Sequence, residues 1–303
     1  MNWSDAHRAA MVAAADAQEE LQLDTFQRVD VFDAMASAGL RVIFRKLDGC
    51  AALYLPSSLG GRPGAIINAS HPLALQRYSA GHETGHHFFG HTTQVTRDAE
   101  PQRATPRLSA QEMLAEAFAA WFLMPPEGVE QALASMNLTH PRSPADVYGL
   151  ALRVGTSYQA TCVHLPNLKL LHAGKSTEWS KLSLKDIKQH LSGHGPPPGG
   201  WRNDIWVLSP ADKDRTIVVR AGDRLLLDVA GAEVQTLPAG ASGTTLSPAD
   251  LLGSSRLQVD LSPDADAGPA SILLEHDGQT IELALNVERP RTGRYVPARK
   301  VTA

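Results

Sequence analysis

The 303-residue chain is 43% hydrophobic and 20% charged, a composition that is typical of a soluble globular protein and excludes a disordered or fibrous one. Its net charge of -4 and pI near 6.3 argue against a protein that binds nucleic acid over its whole surface. The two cysteines are too few for a disulfide framework, the first residues lack the pattern of a secretory signal, and no apolar stretch approaches the roughly 20 residues that span a bilayer. We therefore expect a cytoplasmic protein with no membrane partner, and the length predicts two or three domains.

The beginning of the chain predicts two helices followed by three short strands. "HRAAMVAAADAQEELQ" is rich in helix-forming alanine and glutamate, and "TFQRVDVFDAMASAG" ends at a glycine, Gly39. The second stretch has apolar residues at helical spacing, namely Phe26, Val29, Phe32 and Ala36. "LRVIFRKLDGCAALYLP" predicts two strands around an Asp48-Gly49 turn, and "AIIN" predicts a third strand that ends at Asn68.

Two longer helices are predicted next. The first runs from about Ser70 to Gly90. A polar connection that contains prolines, residues 92–107, leads to Ser109, which is placed to cap the helix "AQEMLAEAFAAWFLM". A pair of prolines then ends this second helix.

The rest of the chain changes from helical to strand-like. "SPADVYGLALRVGTSYQATCVHLPNL" predicts two short helices around Gly155, which resemble a helix-turn-helix in outline. After the linker "SGHGPPPGG", short apolar runs separated by Gly, Pro and Asp predict strands. We therefore expect an α+β protein with a first domain at residues 1–130, a helix-turn-helix-like region and linker at 131–195, a small all-β domain at 200–290 and a basic tail at 291–303.

The stretch "GHETGHHFFGH" contains the pattern H-E-x-x-H at His82, Glu83 and His86. On a helix, positions i and i+4 lie on one face, so both imidazoles can bind one metal ion. Glu83 is rotated from them by about 100 degrees, which suits a base that acts on a water beside the metal. The longer metzincin pattern requires Gly and His where this chain has Phe89 and Thr92, so that class of peptidase is excluded.

A catalytic zinc normally has three protein ligands, so a third ligand must come from elsewhere. His87 points away from the face of the two motif histidines and His91 lies near the helix end, and we interpret both as spare polar residues at the edge of the cleft. Glu112 and Glu116 lie one turn apart on a later, mostly apolar helix. One of them would bind the metal while the other hydrogen-bonds a ligand imidazole, and the spacing alone leaves open which.

"INASHPLALQRYSAGHETGHHFFGH" followed by "EMLAEAFAAWFLMPP" resembles the ImmA/IrrE family of zinc metallopeptidases, also described as the DUF955 domain. The resemblance covers about residues 20–130. It includes a strand ending in Asn, an Arg-aromatic pair before H-E-x-x-H, and a Glu-x-x-Ala helix that closes on Met-Pro. The resemblance implies a gluzincin-like metallopeptidase domain with Glu83 as catalytic base. The Zn²⁺ ligands that it implies are His82, His86 and Glu112.

Other roles near this site are also predicted. Glu116 stands where the family usually has Asn, so its action on a ligand imidazole is a departure from the family. A thiolate is a good zinc ligand, so Cys50 or Cys162 could occupy the fourth position and keep the enzyme latent. The candidates for stabilising the oxyanion are Tyr78, Tyr158 and His87.

The resemblance implies an endopeptidase that cleaves a helix-turn-helix transcriptional repressor and so switches on a stress, mobile-element or defence response. A basic stretch could bind single-stranded DNA as an activator, or it could simply be a solvated face. Its lysines are Lys169, Lys175, Lys181, Lys185 and Lys188. Two other functions stay open: a DNA-binding regulator with a non-catalytic zinc site that reads DNA through residues 143–165, and an interaction protein that acts through the β domain.

Overall fold

The computed structural model describes residues 1–59, 61–91, 94–97, 108–192, 195–228, 233–246, 256–276, 278–289 and 291–297. The chain divides into two compact units. The first consists of Met1–Val129, Val154–Ala160 and Pro290–Ala303, and the second of Glu130–Arg153 and Thr161–Arg289. The mixture of helices and strands confirms the predicted α+β class. Within the described ranges, none of the helices is both long and apolar enough to cross a membrane.

The helices and strands are numbered in chain order. The helices are α1 Trp3–Glu20, α2 Val31–Ser37, α3 Leu73–Phe88, α4 Ala110–Leu123, α5 Pro126–Ser135, α6 Pro144–Val154, α7 Tyr158–His164, α8 Ala173–Trp179 and α9 Leu184–Ser192. The strands are β1 Arg41–Arg45, β2 Cys50–Leu55, β3 Gly64–Asn68, β4 Gln94–Arg97, β5 Ile205–Leu208, β6 Ile217–Arg220, β7 Arg224–Leu227, β8 Glu233–Thr236, β9 Ser242–Leu246, β10 Arg256–Asp260, β11 Gly268–His276, β12 Gln279–Glu288 and β13 Gly293–Arg294.

Side-chain caps determine where the helices of the first unit begin. Ser109 accepts a hydrogen bond from the backbone N–H of Glu112 at 3.2 Å, as the sequence predicts for the start of α4. Asp30 accepts from two backbone N–H groups in the first turn of α2, so that helix begins only at Val31. The predicted helix over "TFQRVDVFDAMASAG" is therefore wrong in its first half, where Phe26 lies outside any helix and is 56% exposed.

The sheet of the first unit has the strand order β13-β1-β3-β2-β4. β1 and β2 are strands as predicted, but they are not a hairpin, because β3 lies between them and pairs parallel to β1 and antiparallel to β2. β3 is buried along most of its length, which is typical of a central strand. β4 falls inside the predicted connection, whose residues 92–93 and 98–107 lie outside the described ranges.

The chain end contributes to the first unit. The sequence predicts a loose basic tail, whereas β13 pairs antiparallel with β1. The guanidinium of Arg291 lies over the ring of Phe32 at 4.7 Å and over the ring of Tyr295 at 5.1 Å. The Tyr295 hydroxyl donates a hydrogen bond to Asp33. These contacts hold the described part of the tail against α2 and β1.

Two buried polar residues of the motif region hold loops in place. The Asn68 side-chain amide donates to the carbonyl oxygen of Cys50 at 2.8 Å. Arg77 donates to the carbonyl oxygens of Val29 and Gly155. Because buried backbone carbonyls need partners, both residues have a structural role beside the site.

Helices α3 and α4 approach closely because glycines face the crossing. A Cβ added at Gly85 would lie 3.0 Å from the Cα of Ala115 and 3.1 Å from the Cβ of Phe118. At Gly81 the nearest atom would be the Cδ1 of Leu123, at 3.2 Å. The absence of side chains at these two positions lets the backbones come together, and so brings residues of α3 within reach of carboxylates on α4.

The second unit contains two four-stranded sheets, with the orders β5-β7-β10-β9 and β6-β12-β11-β8. They share one apolar core, to which β7 contributes Leu225, β10 contributes Val259 and β11 contributes Ile272. The predicted helix pair is present, since α6 ends at Val154 and α7 begins at Tyr158. The strands belong to the same unit as Glu130–Arg153, so a separate β domain stays a prediction.

Candidate metal centre

Helix α3 presents two histidines to one point, as the H-E-x-x-H spacing predicts. His82 and His86 lie one turn apart, and both are buried. Their Nε2 atoms are 3.0 Å apart. The two imidazoles therefore converge on a position that a single ion can occupy.

The third donor comes from α4. Glu112 Oε2 lies 3.2 Å from His82 Nε2, and Glu112 Oε1 lies 3.5 Å from His86 Nε2. In the described part of the chain, these three residues form a group whose ligand atoms all lie within 4.8 Å of one another, close enough to hold a metal ion. Of the two glutamates that the spacing left open, Glu112 is the one that faces both Nε2 atoms.

Glu116 faces the other side of the His82 ring. Its Oε2 lies 3.2 Å from His82 Nδ1, and its Oε1 accepts a hydrogen bond of 2.9 Å from the Tyr78 hydroxyl. Burial and the Glu116 charge raise the pKa of Tyr78 well above its usual value. The Tyr78 hydroxyl therefore holds Glu116, which in turn orients His82.

Burial and the nearby carboxylates shift the pKa values of the two histidines in opposite directions. Burial lowers the pKa of His82, but hydrogen bonds to Glu112 and Glu116 outweigh burial and raise it to about 10. Burial lowers the pKa of His86 to about 3, and the His82 charge adds to this effect. The same carboxylates that favour a positive charge on His82 would favour a metal cation at this point.

Glu83 lies in the interior between its two motif histidines, with no exposed surface. Its negative charge acts on its surroundings: it contributes to the raised pKa of His82, and, after burial, to the raised pKa of Tyr54. A buried carboxylate whose charge acts on a residue of this group can exchange a proton with a molecule bound there.

Tyr54 also lies at this site, although no sequence motif indicates it. This buried residue of β2 stacks on the His86 ring, with the ring centroids 6.3 Å apart, and its hydroxyl lies 3.2 Å from His87 Nδ1. The sequence of β2, "CAALYL", is apolar throughout, so residue type alone does not show which face Tyr54 occupies. His87 is thus engaged by Tyr54 and by the backbone of Ala38.

The oxyanion and latch residues stay predictions. Tyr158 is buried at the start of α7, 4% exposed. The Cys50 thiol donates to the carbonyl oxygen of Ala52 at 2.9 Å, and Cys162 is buried in the second unit. Within the described ranges, neither cysteine joins the three residues that can hold a metal.

The structure corrects the predicted role of His91, which follows the end of α3. The sequence suggests a spare polar residue at the edge of the cleft, yet His91 is only 8% exposed and its Nδ1 lies 2.8 Å from His86 Nδ1. Gly90 adopts a left-handed backbone, with φ of +63°, and turns the chain back over the last turn of α3. A glycine directly after the helix, followed by a histidine, was the signal that pointed to this contact.

The basic stretch is also smaller than predicted. Lys188 is buried and forms an ion pair with Asp204 at 2.8 Å, so it does not belong to a basic surface. The remaining lysines of the stretch are exposed, namely Lys169, Lys175, Lys181 and Lys185.

Replacing Gly85 with alanine is expected to separate α3 from α4. The new Cβ would meet backbone atoms of Ala115, which cannot rotate away, so the helices must shift. We expect unfolding free energy to fall by about 1–3 kcal/mol and metal affinity to fall with it, because Glu112 moves away from the histidines. Gly81→Ala is the matched control, since it would meet mainly the flexible Leu123 side chain. Urea unfolding and zinc titration measure both effects, and parental zinc affinity in Gly85→Ala would contradict this account.

Residues 35–165 match the model of a peptidase family, M78, whose description is the IrrE N-terminal-like domain. The match confirms the resemblance to the ImmA/IrrE family and supports a metallopeptidase. The match begins later than the predicted span of about residues 20–130, at residue 35, and continues beyond it to the end of the α6–α7 pair. No curated protein matches the sequence.

Proposed function

We propose that the protein is a zinc-dependent endopeptidase, and the observation that carries the proposal is the convergence of His82, His86 and Glu112. Two imidazoles and one carboxylate are a donor set of catalytic zinc sites. Tetrahedral bonds of about 2.0–2.1 Å place neighbouring ligand atoms about 3.3–3.4 Å apart. The two Nε2 atoms are 3.0 Å apart, His82 Nε2 lies 3.2 Å from Glu112 Oε2, and His86 Nε2 lies 3.5 Å from Glu112 Oε1, so the residues fit the ion with small adjustments.

The proposed chemistry divides between the ion and Glu83. When bound, zinc supplies a Lewis acid that lowers the pKa of a water toward about 7 and polarises the scissile carbonyl. Glu83 accepts a proton from the attacking water and then donates it to the leaving amine. Its complete burial supports this role, because a carboxylate away from bulk water exchanges protons with the bound reactants.

The proposed substrate is a helix-turn-helix transcriptional repressor in the cytoplasm, whose cleavage switches on a stress, mobile-element or defence response. This part of the proposal rests on the family resemblance alone. The three donor residues and Glu83 support hydrolysis of a peptide bond. Residues outside this site would determine which peptide is bound and cut.

The proposal is tested by incubating the purified chain with helix-turn-helix regulators encoded by neighbouring genes, and with an unrelated helix-turn-helix protein as control. We expect zinc-dependent cleavage of one regulator, which a chelator stops and added zinc restores. Sequencing of the new N-terminus gives the cleaved bond. If the zinc-loaded protein cuts none of these regulators, the repressor is not its substrate. If the zinc-loaded protein instead binds DNA, the alternative function of a DNA-binding regulator is favoured.

A further inference from the structure

We propose that His91 is a positioning residue for the metal ligand His86, whose Nδ1–H it accepts. The inference rests on the proposed metal site and extends it, because it assigns a role to a histidine outside the H-E-x-x-H pattern. His91 does not bind the metal or the substrate in this account. It holds the His86 ring so that Nε2 faces the ion.

The end of α3 builds this contact from local geometry. Phe89 ends the helix, Gly90 adopts φ of +63°, and the backbone N–H of His91 donates to the carbonyl oxygen of His86 at 2.9 Å. That bond is typical of a helix that ends on a glycine in the left-handed conformation. It places the His91 side chain beside the residue whose carbonyl its own backbone has engaged.

The side chain is held in this position by packing. The His91 ring lies nearly parallel to the Phe89 ring, with centroids 5.5 Å apart. It lies 5.0 Å from the His86 ring centroid, and the two Nδ1 atoms are 2.8 Å apart. Both histidines are buried, so the hydrogen bond between them is shielded from water.

The chemistry of a ligand imidazole requires such a partner. A neutral histidine that binds a metal through Nε2 carries its proton on Nδ1, and that proton needs an acceptor to fix the tautomer and the ring. His91 can accept at Nδ1 when its own proton is on Nε2. Both rings are then neutral, and the donor and acceptor roles are complementary.

The two proposed ligand histidines therefore have different hydrogen-bond partners at Nδ1. His82 has a carboxylate, Glu116, at its Nδ1, whereas His86 has an imidazole. Glu83, Glu112 and Glu116 already bring three carboxylates to this small region, so a neutral acceptor for His86 avoids the cost of burying a fourth. This explains why a histidine, and not an acidic residue, suits the position.

The experiment compares zinc affinity in variants of the full chain, measured by competition with a chromophoric chelator at one pH. We expect His91→Ala and His91→Leu to bind zinc about 10–100-fold more weakly than the parent, the range found when partners of ligand histidines are removed. His91→Gln should recover most of the affinity, because its amide oxygen accepts a hydrogen bond. Leucine keeps apolar contact with Phe89 but accepts nothing, so it separates positioning from packing.

His140→Ala is the matched control, since it removes an exposed histidine that lies outside the three-residue group able to hold a metal in the described part of the chain. We expect it to bind zinc like the parent. Cobalt-substituted protein gives a second readout: the visible spectrum should change in His91→Leu and remain parental in His91→Gln.

Parental zinc affinity in both His91→Ala and His91→Leu would overturn the inference, and so would equal losses in His91→Leu and His91→Gln. These outcomes are independent of cleavage. If the parent binds zinc and the variants follow the expected order but no repressor is cut, only the proposed substrate fails. If the parent binds no zinc, the proposed metal site and this inference fail together.

Discussion

Replacing Glu83 with glutamine is expected to give a protein that binds zinc like the parent and shows no detectable cleavage. General-base catalysis contributes about 10²–10⁴-fold to such reactions, and glutamine cannot accept the proton. The ligand set is untouched, because the three donor atoms belong to other residues. Glutamine keeps the size and shape of the side chain, so the fold should be retained.

Three measurements on the Glu83→Gln protein check this expectation: zinc content, melting temperature and the rate of repressor cleavage. Glu127→Gln is the matched control, since it makes the same chemical change at an exposed glutamate of α5. Cleavage at the parental rate by a zinc-loaded Glu83→Gln protein would refute the assignment of the base. Loss of zinc would instead show that Glu83 contributes to the metal site.

Replacing Glu112 with glutamine is expected to remove the metal. Glu112 supplies the only carboxylate oxygens of the three-residue group identified among the described residues, and a neutral amide is a much poorer zinc ligand. We expect zinc affinity to fall by more than about 100-fold, beyond the effect of losing a residue that only supports a ligand. Cleavage should be lost in parallel.

Glu116→Gln is the control for this prediction, because the two glutamates lie one turn apart on α4. Glu116 contacts Nδ1 of His82 and not Nε2, so its replacement should weaken zinc binding by about 10–100-fold without abolishing it. Metal analysis after dialysis separates the two variants. Retention of zinc by Glu112→Gln together with its loss from Glu116→Gln would reverse the assignment of ligand and support.

Much of the site could be predicted because its signals are local. The four-residue spacing of His82 and His86 places both on one face of a helix, whatever surrounds it. Because the metzincin pattern is absent, the third ligand has to come from another segment, and the resemblance to a family implies Glu112. The α+β class likewise follows from the alternation of helical and strand-like stretches.

Other features depend on which surfaces meet. Spacing made Glu112 and Glu116 equivalent, and the close crossing of α3 and α4 at Gly85 decided which one faces the Nε2 atoms. Lys188 looked like part of a basic face until its ion pair with Asp204 showed that it is buried. The residues that meet in these contacts are far apart in the sequence, so no local sequence pattern indicates the contacts.

The sequence by itself determined the face of α3 that carries His82 and His86, the buried apolar helix that follows it, and the family to which the segment is similar. Only the tertiary structure decided how each imidazole is oriented, with Glu116 behind His82, and His91 and Tyr54 around His86. The physical reason is the distance along the chain over which each interaction acts. Helix periodicity acts over one turn, whereas the orientation of a ligand depends on hydrogen bonds and packing between segments that meet only in the folded chain.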